Sequence, residues 1–291
     1  MATIRPRGSF AALTAGMAIL AALLLSASPS SLAAPLETTG LDRGFHQLYN
    51  LNFAGAENEF QSWEKLNPQN PMGPVSEAAG ILFSEFNRLG VLEGQFYQND
   101  SLFAQRKKYA ADPQRKAQFD DLLSRGEALA RAALARDGHD RDALLAMTLV
   151  NGLRADYAAL IEKRNVPSLH YTKQSSAWAD QLLAADPTCY DAHLAGGISK
   201  YIVGSMAAPL RWLARLGGVS GDKQRGMAEL QTTAAQGRLL APFARILLAI
   251  AYVRDKDAER ARAELLSLEN DFPDNPLFAR ELARLQPVAS R

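Results

Sequence analysis

Along most of the chain, apolar residues recur three and four positions apart, the spacing that gathers side chains on one stripe of an α-helix. The stretches 115–136, 222–236 and 257–269 show it best, and they are rich in Ala, Leu, Arg, Glu and Gln, which lose little freedom on becoming helical. Sustained apolar–polar alternation is missing. The pairs Asp137-Gly138 and Asn151-Gly152 sit among helical segments, not between β-branched runs where they would read as hairpin turns. Breaks carrying Pro, Gly or Asp separate the periodic stretches. The pattern predicts an all-α protein.

The breaks recur, and so does what lies between them. One segment, 44–71, carries Gly44, Leu48, Phe53, Ala56, Phe60, Trp63 and Pro68, and leaves through Asn67-Pro68-Gln69-Asn70-Pro71. Another, 248–276, carries Leu248, Ala249, Tyr252, Ala258, Ala261, Leu265 and Leu268, and leaves through Phe272-Pro273-Asp274-Asn275-Pro276. Two further exits, Asp137-Gly138-His139-Asp140 and Asp186-Pro187-Thr188-Cys189, each start a new helix, at 143–153 and 192–203. Each unit reads as helix, short polar break, helix. A small residue followed four later by a large one and eight after that by Pro suits two helices crossing closely: the small residue admits the neighbour, the large one fills the groove, and Pro ends the helix. Ala56, Phe60 and Pro68 have that spacing, as do Ala261, Leu265 and Pro273. Gly196 and Gly197 are expected to serve the same approach in the third unit.

In these residues the chain resembles the tetratricopeptide repeat family. The resemblance implies a right-handed α-solenoid of stacked antiparallel helix hairpins. The units depart from the family's period of about 34 residues. Exits near Pro68, Gly138, Pro187, Gly237 and Pro273 lie 70, 49, 50 and 36 residues apart. The excess falls at 90–113, 161–173 and 205–222, in each case between the two helices of a unit. Extra chain at one repeated place projects from one side of a stack and often builds its working face.

The first 33 residues are read separately. Arg5 and Arg7 precede an apolar run from Phe10 to Leu25, broken by Thr14, and small residues follow, with Ser31 and Ala33 placed for a signal peptidase. The run is 16 residues long, short of the roughly 20 that span a bilayer. The expectation is a signal peptide at 1–33, cleaved, and a repeat domain at 34–291 exported to a periplasmic or extracellular space. Without Arg5 and Arg7 the chain has 30 basic and 31 acidic residues. That balance leaves no basic field to hold a nucleic acid. No second apolar run is expected to cross a membrane.

Motifs for catalysis are missing: no His-Glu-x-x-His helix, no phosphate loop ending in Lys-Ser/Thr, no Gly-x-Ser-x-Gly elbow. Cys189, the one cysteine, lies four residues before His193 and makes at most half a metal site; a buried thiol beside a helix-start histidine explains the pair as well. The acids of 137–142 loosely suggest a calcium loop, but helix capping accounts for them better. The expectation is a protein with no catalytic residues, no metal and no cofactor.

Binding features are richer. Aligning the helices after the exits at Gly138, Pro187 and Gly237 puts Leu145 and Leu149, Leu194 and Ile198, and Ile246 and Ile250 on the inner curve of the stack, with Tyr201 close by. An aliphatic stripe must be covered. Its cover is either one of the chain's own insertions, such as 206–216, or a ligand: an apolar molecule or an amphipathic partner helix. In 207–216, Leu210, Leu213 and Leu216 share a face while Arg211 and Arg215 form a cationic pair around Trp212; this suits a short helix docked on the stack, or contact with an anionic membrane surface. In the first insertion, Phe96, Tyr97, Phe103 and Tyr109 flank Arg106-Lys107-Lys108 and serve either a partner or the loop's own packing. The candidate groove residues are therefore Leu145, Leu149, Leu194, Ile198, Tyr201, Ile246, Ile250, Arg211, Trp212 and Arg215. The expected function is that of an exported, non-enzymatic scaffold holding a protein or peptide partner in its concave groove. The alternative is a carrier of a small apolar or lipid-like ligand, closed by an insertion.

Overall fold

Among the described residues, five helix hairpins follow one another. The pairs are α1 (Gly40–Tyr49) with α2 (Phe53–Leu66), α3 (Met72–Arg88) with α4 (Pro113–Arg136), α5 (Arg141–Asp156) with α6 (Asn165–Ala185), α7 (His193–Ser205) with α8 (Lys223–Gln236), and α9 (Ala241–Arg254) with α10 (Ala258–Asp271); α11 (Pro276–Arg284) packs on α10. The computed structural model describes residues 39–92, 109–205 and 220–285. The described residues contain no strand, and each helix packs against its neighbours in sequence. The described residues are all-α, and their packing is compatible with a helical repeat.

The turns carry the repetition more plainly than the helices do. Where the first helix of a hairpin ends, one residue takes a left-handed conformation: Leu51 (φ 62°), Gly90 (φ 71°), Lys163 (φ 57°) and Lys256 (φ 61°). In three of these the next N–H reaches back five residues to a carbonyl, Asn52 to Gln47 at 2.9 Å, Val91 to Phe86 at 2.8 Å and Asp257 to Tyr252 at 2.9 Å. This satisfies carbonyls that a helix end leaves bare. In the third hairpin a π-turn at Tyr157–Ile161 precedes the reversal, so Arg164 reaches back six residues, to Ala158 at 2.7 Å.

The second helices end at the predicted exits. At four of them the same tight turn forms, closed by N–H bonds from Asn70 to Asn67, Asp140 to Asp137, Cys189 to Asp186 and Asn275 to Phe272, at 2.9–3.1 Å. Asn70, Asp140 and Asn275 then cap the helix that follows, each accepting a backbone N–H at 2.9–3.0 Å. Of the acids of 137–142, Asp140 is the cap expected, while Asp137 accepts the His139 N–H within the turn and Asp142 accepts from the Asn70 amide. The fifth entrance differs: the buried carboxylate of Asp191 accepts the N–H groups of Arg238, Leu239 and Leu240 at 2.9–3.1 Å and holds that chain in place.

Close crossings fall where small residues do. A Cβ on Gly44 of α1 would land 2.2 Å from the Phe60 ring, so Phe60 of α2 fills the space that Gly44 leaves. Ala56, Phe60 and Ala261 are fully buried. A Cβ on Gly197 of α7 would land 3.1 Å from Leu230 of α8, and one on Gly226 of α8 would run into the α7 backbone at Tyr201. Gly196 faces the Lys200–Glu229 ion pair instead of the crossing.

Two expectations need correction. The excess at 161–173 is mostly helix: α6 starts at Asn165, so the third hairpin absorbs its extra residues by lengthening its second helix. The run Arg141–Ile161 is long and apolar enough to cross a membrane, contrary to expectation, but 67% of its most apolar window is buried inside the protein. It is the core helix of the fold, contributing Leu144, Leu145, Met147 and Val150 to the interior.

Candidate functional site

The first hairpin meets the fifth. Tyr49, the last residue of α1, donates its hydroxyl to the carbonyl of Leu239 at 3.0 Å, and its own carbonyl accepts from the amide of Asn275 at 2.8 Å. Asn50 accepts the N–H of Asp274 at 3.2 Å. Phe272 sits against both His46 and Tyr49, with ring centroids 5.2 and 5.5 Å away. On the rim, Arg238 forks onto Asp42 at 2.6 and 2.8 Å. One hairpin further in, Phe83 of α3 packs edge-on against Phe243 of α9 at 5.5 Å. These contacts join residues about 160 to 226 positions apart and bring the first two hairpins against the C-terminal part of the chain.

Between them lies an apolar cavity of about 90 Å³. Leu48, Phe83 and Leu92 wall it on one side, Ile246, Ala249 and Ile250 on the other, and Phe278 and Leu285 at the C-terminal end. Its polar neighbours, Tyr49, Asn275 and Glu281, are engaged. Asn275 caps α11 and holds the Tyr49 carbonyl; Glu281 pairs with Arg284. Burial pushes the Tyr49 phenol well above its ordinary range, so it stays a neutral hydrogen-bond donor. Apart from the ion-paired Glu281, the site offers dispersion contacts.

The predicted stripe is placed as follows. Leu145 and Leu194 are buried; Leu149, Ile198, Tyr201, Ile246 and Ile250 are half-buried, and none of the seven is exposed. Ile246 and Ile250 reach the cavity together. Tyr201 sits apart from it, its ring under the Lys223 ammonium at 5.9 Å. Arg211, Trp212 and Arg215, the rest of 206–216, and Phe96, Tyr97, Phe103 and Arg106–Lys108 of the first insertion lie outside the described residues, as does 1–33. Among the described residues, Ile246 and Ile250 at the C-terminal part of the stripe share this pocket with Leu48, Phe83 and Leu92. Leu48, Phe83 and Leu92 were not among the expected groove residues, because helical spacing marks them as core and gives no sign of what lies opposite.

Cys189 is fully buried, and burial pushes its thiol up to about 11, so it is neither a nucleophile nor a ready ligand at neutral pH. Among the described residues no three His, Cys, Asp or Glu side chains gather as a metal site needs.

Fold and site together define an all-α, helical-repeat-like protein with an apolar interior site where its ends meet. Neither the protein-family models nor the curated proteins contain a match to this chain.

Proposed function

We propose that the protein is an exported, non-enzymatic binding module: a right-handed, tetratricopeptide-like solenoid, freed of residues 1–33, that carries a small apolar ligand between its first and last hairpins. The observation that supports this most is the cavity itself. Ile246 and Ile250 face Leu48 and Phe83 across about 90 Å³ of apolar space with no free polar group on its walls. A ligand seated there covers apolar surface with little ordering, because the helices are already in place. The chemistry fits a short alkyl group or the end of an acyl chain.

A partner protein is the second reading, supported by one feature: Ile202, beside Tyr201 on α7, is 51% exposed. Purification from the exported fraction, followed by native mass spectrometry and solvent extraction, separates the two readings. An apolar small molecule should travel with the protein, and Ala249→Leu, which fills the cavity, should lose it and melt higher. A protein that flies without added mass, and whose Ala249→Leu variant merely melts higher, overturns the carrier reading. A co-purifying protein lost on Ile202→Glu would establish the second.

A further inference from the structure

A separate cleft lies outside the apolar interior. α2 and α4 run side by side against α3, tied by the ion pair of Glu64 with Arg125 at 3.0 Å. Beyond that tie they leave between them a cleft of about 350 Å³. Its floor is Gly80 of α3, where a Cβ would meet nothing nearer than the Phe60 ring at 3.8 Å. Glu57 of α2 and Arg115 of α4 both line it, and neither has an ion-pair partner among the described residues. Among the described residues, Glu57 accepts from Gln61 at 3.1 Å, and the Arg115 guanidinium donates to the Ser84 hydroxyl at 2.8 Å. A half-buried guanidinium with one such hydrogen bond keeps further N–H donors for a carboxylate. Toward the tie, Glu77 lines the same cleft.

We propose that this cleft binds a basic α-amino acid, with its carboxylate on Arg115 and Ser84, its α-ammonium on Glu57 and its side-chain cation on Glu77. Two carboxyl groups and one guanidinium complement two cations and one carboxylate. Glu77 and Ser84 are seven residues apart on α3, roughly 10 Å along the helix, a span that an extended basic side chain bridges with the reach of Arg115 and Glu77. Gly80 and Ile81 leave an apolar track between them for the stem. The proton on Glu77 adds a signature. Burial and the neighbouring Glu64 raise Glu77 to about 8, while Arg125 and Gln61 pull the other way. Near neutrality the empty cleft therefore keeps a proton that an arriving cation must displace. Glu57 and Glu64 on α2 and Arg115 and Arg125 on α4 are the other charged groups around it.

Isothermal titration calorimetry on the full chain with L-lysine tests this. Lysine should bind with release of a proton, read from the dependence of the heat on buffer, and more tightly at about pH 8 than at about pH 6. L-Leucine, which lacks the second cation, and cadaverine, which lacks the carboxylate, should each bind at least roughly tenfold more weakly. Arg115→Ala should erase the preference for lysine over cadaverine. Gly80→Leu, which fills the floor without a backbone clash, should abolish binding in a protein whose circular dichroism and melting show it folded. No heat with lysine up to about 10 mM, leucine binding as well as lysine, or binding that survives folded Gly80→Leu would overturn the proposal. None of these outcomes touches the apolar cavity.

Discussion

Two glutamates on α3 give the protein opposite responses to pH. Glu85 is 2% exposed; its carboxylate takes both Arg88 nitrogens, at 2.5 and 2.8 Å, and the N–H of Asp112 at 3.2 Å. The Arg88 hydrogen bond, chiefly, holds it below its ordinary value. The folded state thus prefers Glu85 ionised, and the stability this adds is present above the unfolded value near 4.5 and is lost on acidification through the lower, folded value. Glu77 is the reverse. Raised to about 8 by burial first and by Glu64 second, it binds a proton in the folded state that the unfolded chain has already released. Its contribution is fullest below about 4.5 and disappears as pH climbs to about 8. Thermal melts across that interval should therefore show Glu77→Gln with a flatter loss of stability toward pH 8 than the parent. Glu85→Ala should melt lower at neutral pH, by about 1.5–3 kcal/mol, the worth of hydrogen bonds to a charged group. A Glu77→Gln profile parallel to the parent's contradicts this assignment. Neither behaviour is visible in a run of letters: both acids look like surface positions on an amphipathic helix, and their difference arises from Arg88 three residues on and from Glu64 on another helix.

At the scale of elements, the spacing of Ala56, Phe60 and Pro68 carried real information, since small-to-large contacts recur wherever two helices need to cross and Pro recurs where the second must stop. The exits were legible for the same reason: Asp, Asn and Pro have local jobs there, as cap, turn and stop. The left-handed turns were not. Leu51, Lys163 and Lys256 occupy a conformation usually left to glycine, and nothing in a Leu or Lys announces it. Nor does composition separate one helical glycine from another. Replacing a helical glycine with alanine ordinarily adds about 0.5–1 kcal/mol, and Gly80→Ala should do so, its nearest neighbour lying 3.8 Å from the new carbon. Gly226→Ala should instead lose about 1–3 kcal/mol, because the methyl would fall 2.4 Å from the Tyr201 backbone nitrogen and force α7 and α8 apart. Chemical denaturation of the two variants side by side checks the sign of each. If both are stabilised, the α7–α8 crossing is looser than this geometry has it.

For the molecule as a whole, what mattered most was what periodicity could not express. A helical stack read from sequence has two free ends and an inner stripe in search of a cover. Here Tyr49, Asn50 and Asp42 meet Leu239, Asp274 and Arg238, and the stripe's far end is roofed by the chain's own beginning. Pairing over about 190 residues leaves no local signature, since Tyr49 and Asn275 each read as an ordinary helix end. Asn275 is the most exposed to test, though it is itself buried. Its amide nitrogen serves the Tyr49 carbonyl and its oxygen caps α11, so Asn275→Asp keeps the cap while removing the donor across the closure. A buried carbonyl left bare costs about 1–3 kcal/mol, and that cost falls on the contact between the ends, not on either hairpin. Hydrogen exchange should therefore quicken in α1 and α11 together, more than 225 residues apart, while the amides of α5 and α6 keep their protection. Exchange that quickens uniformly through all five hairpins would mean that the closure and the stack melt as one unit. Exchange that quickens in α11 alone would mean that the two ends touch without holding each other.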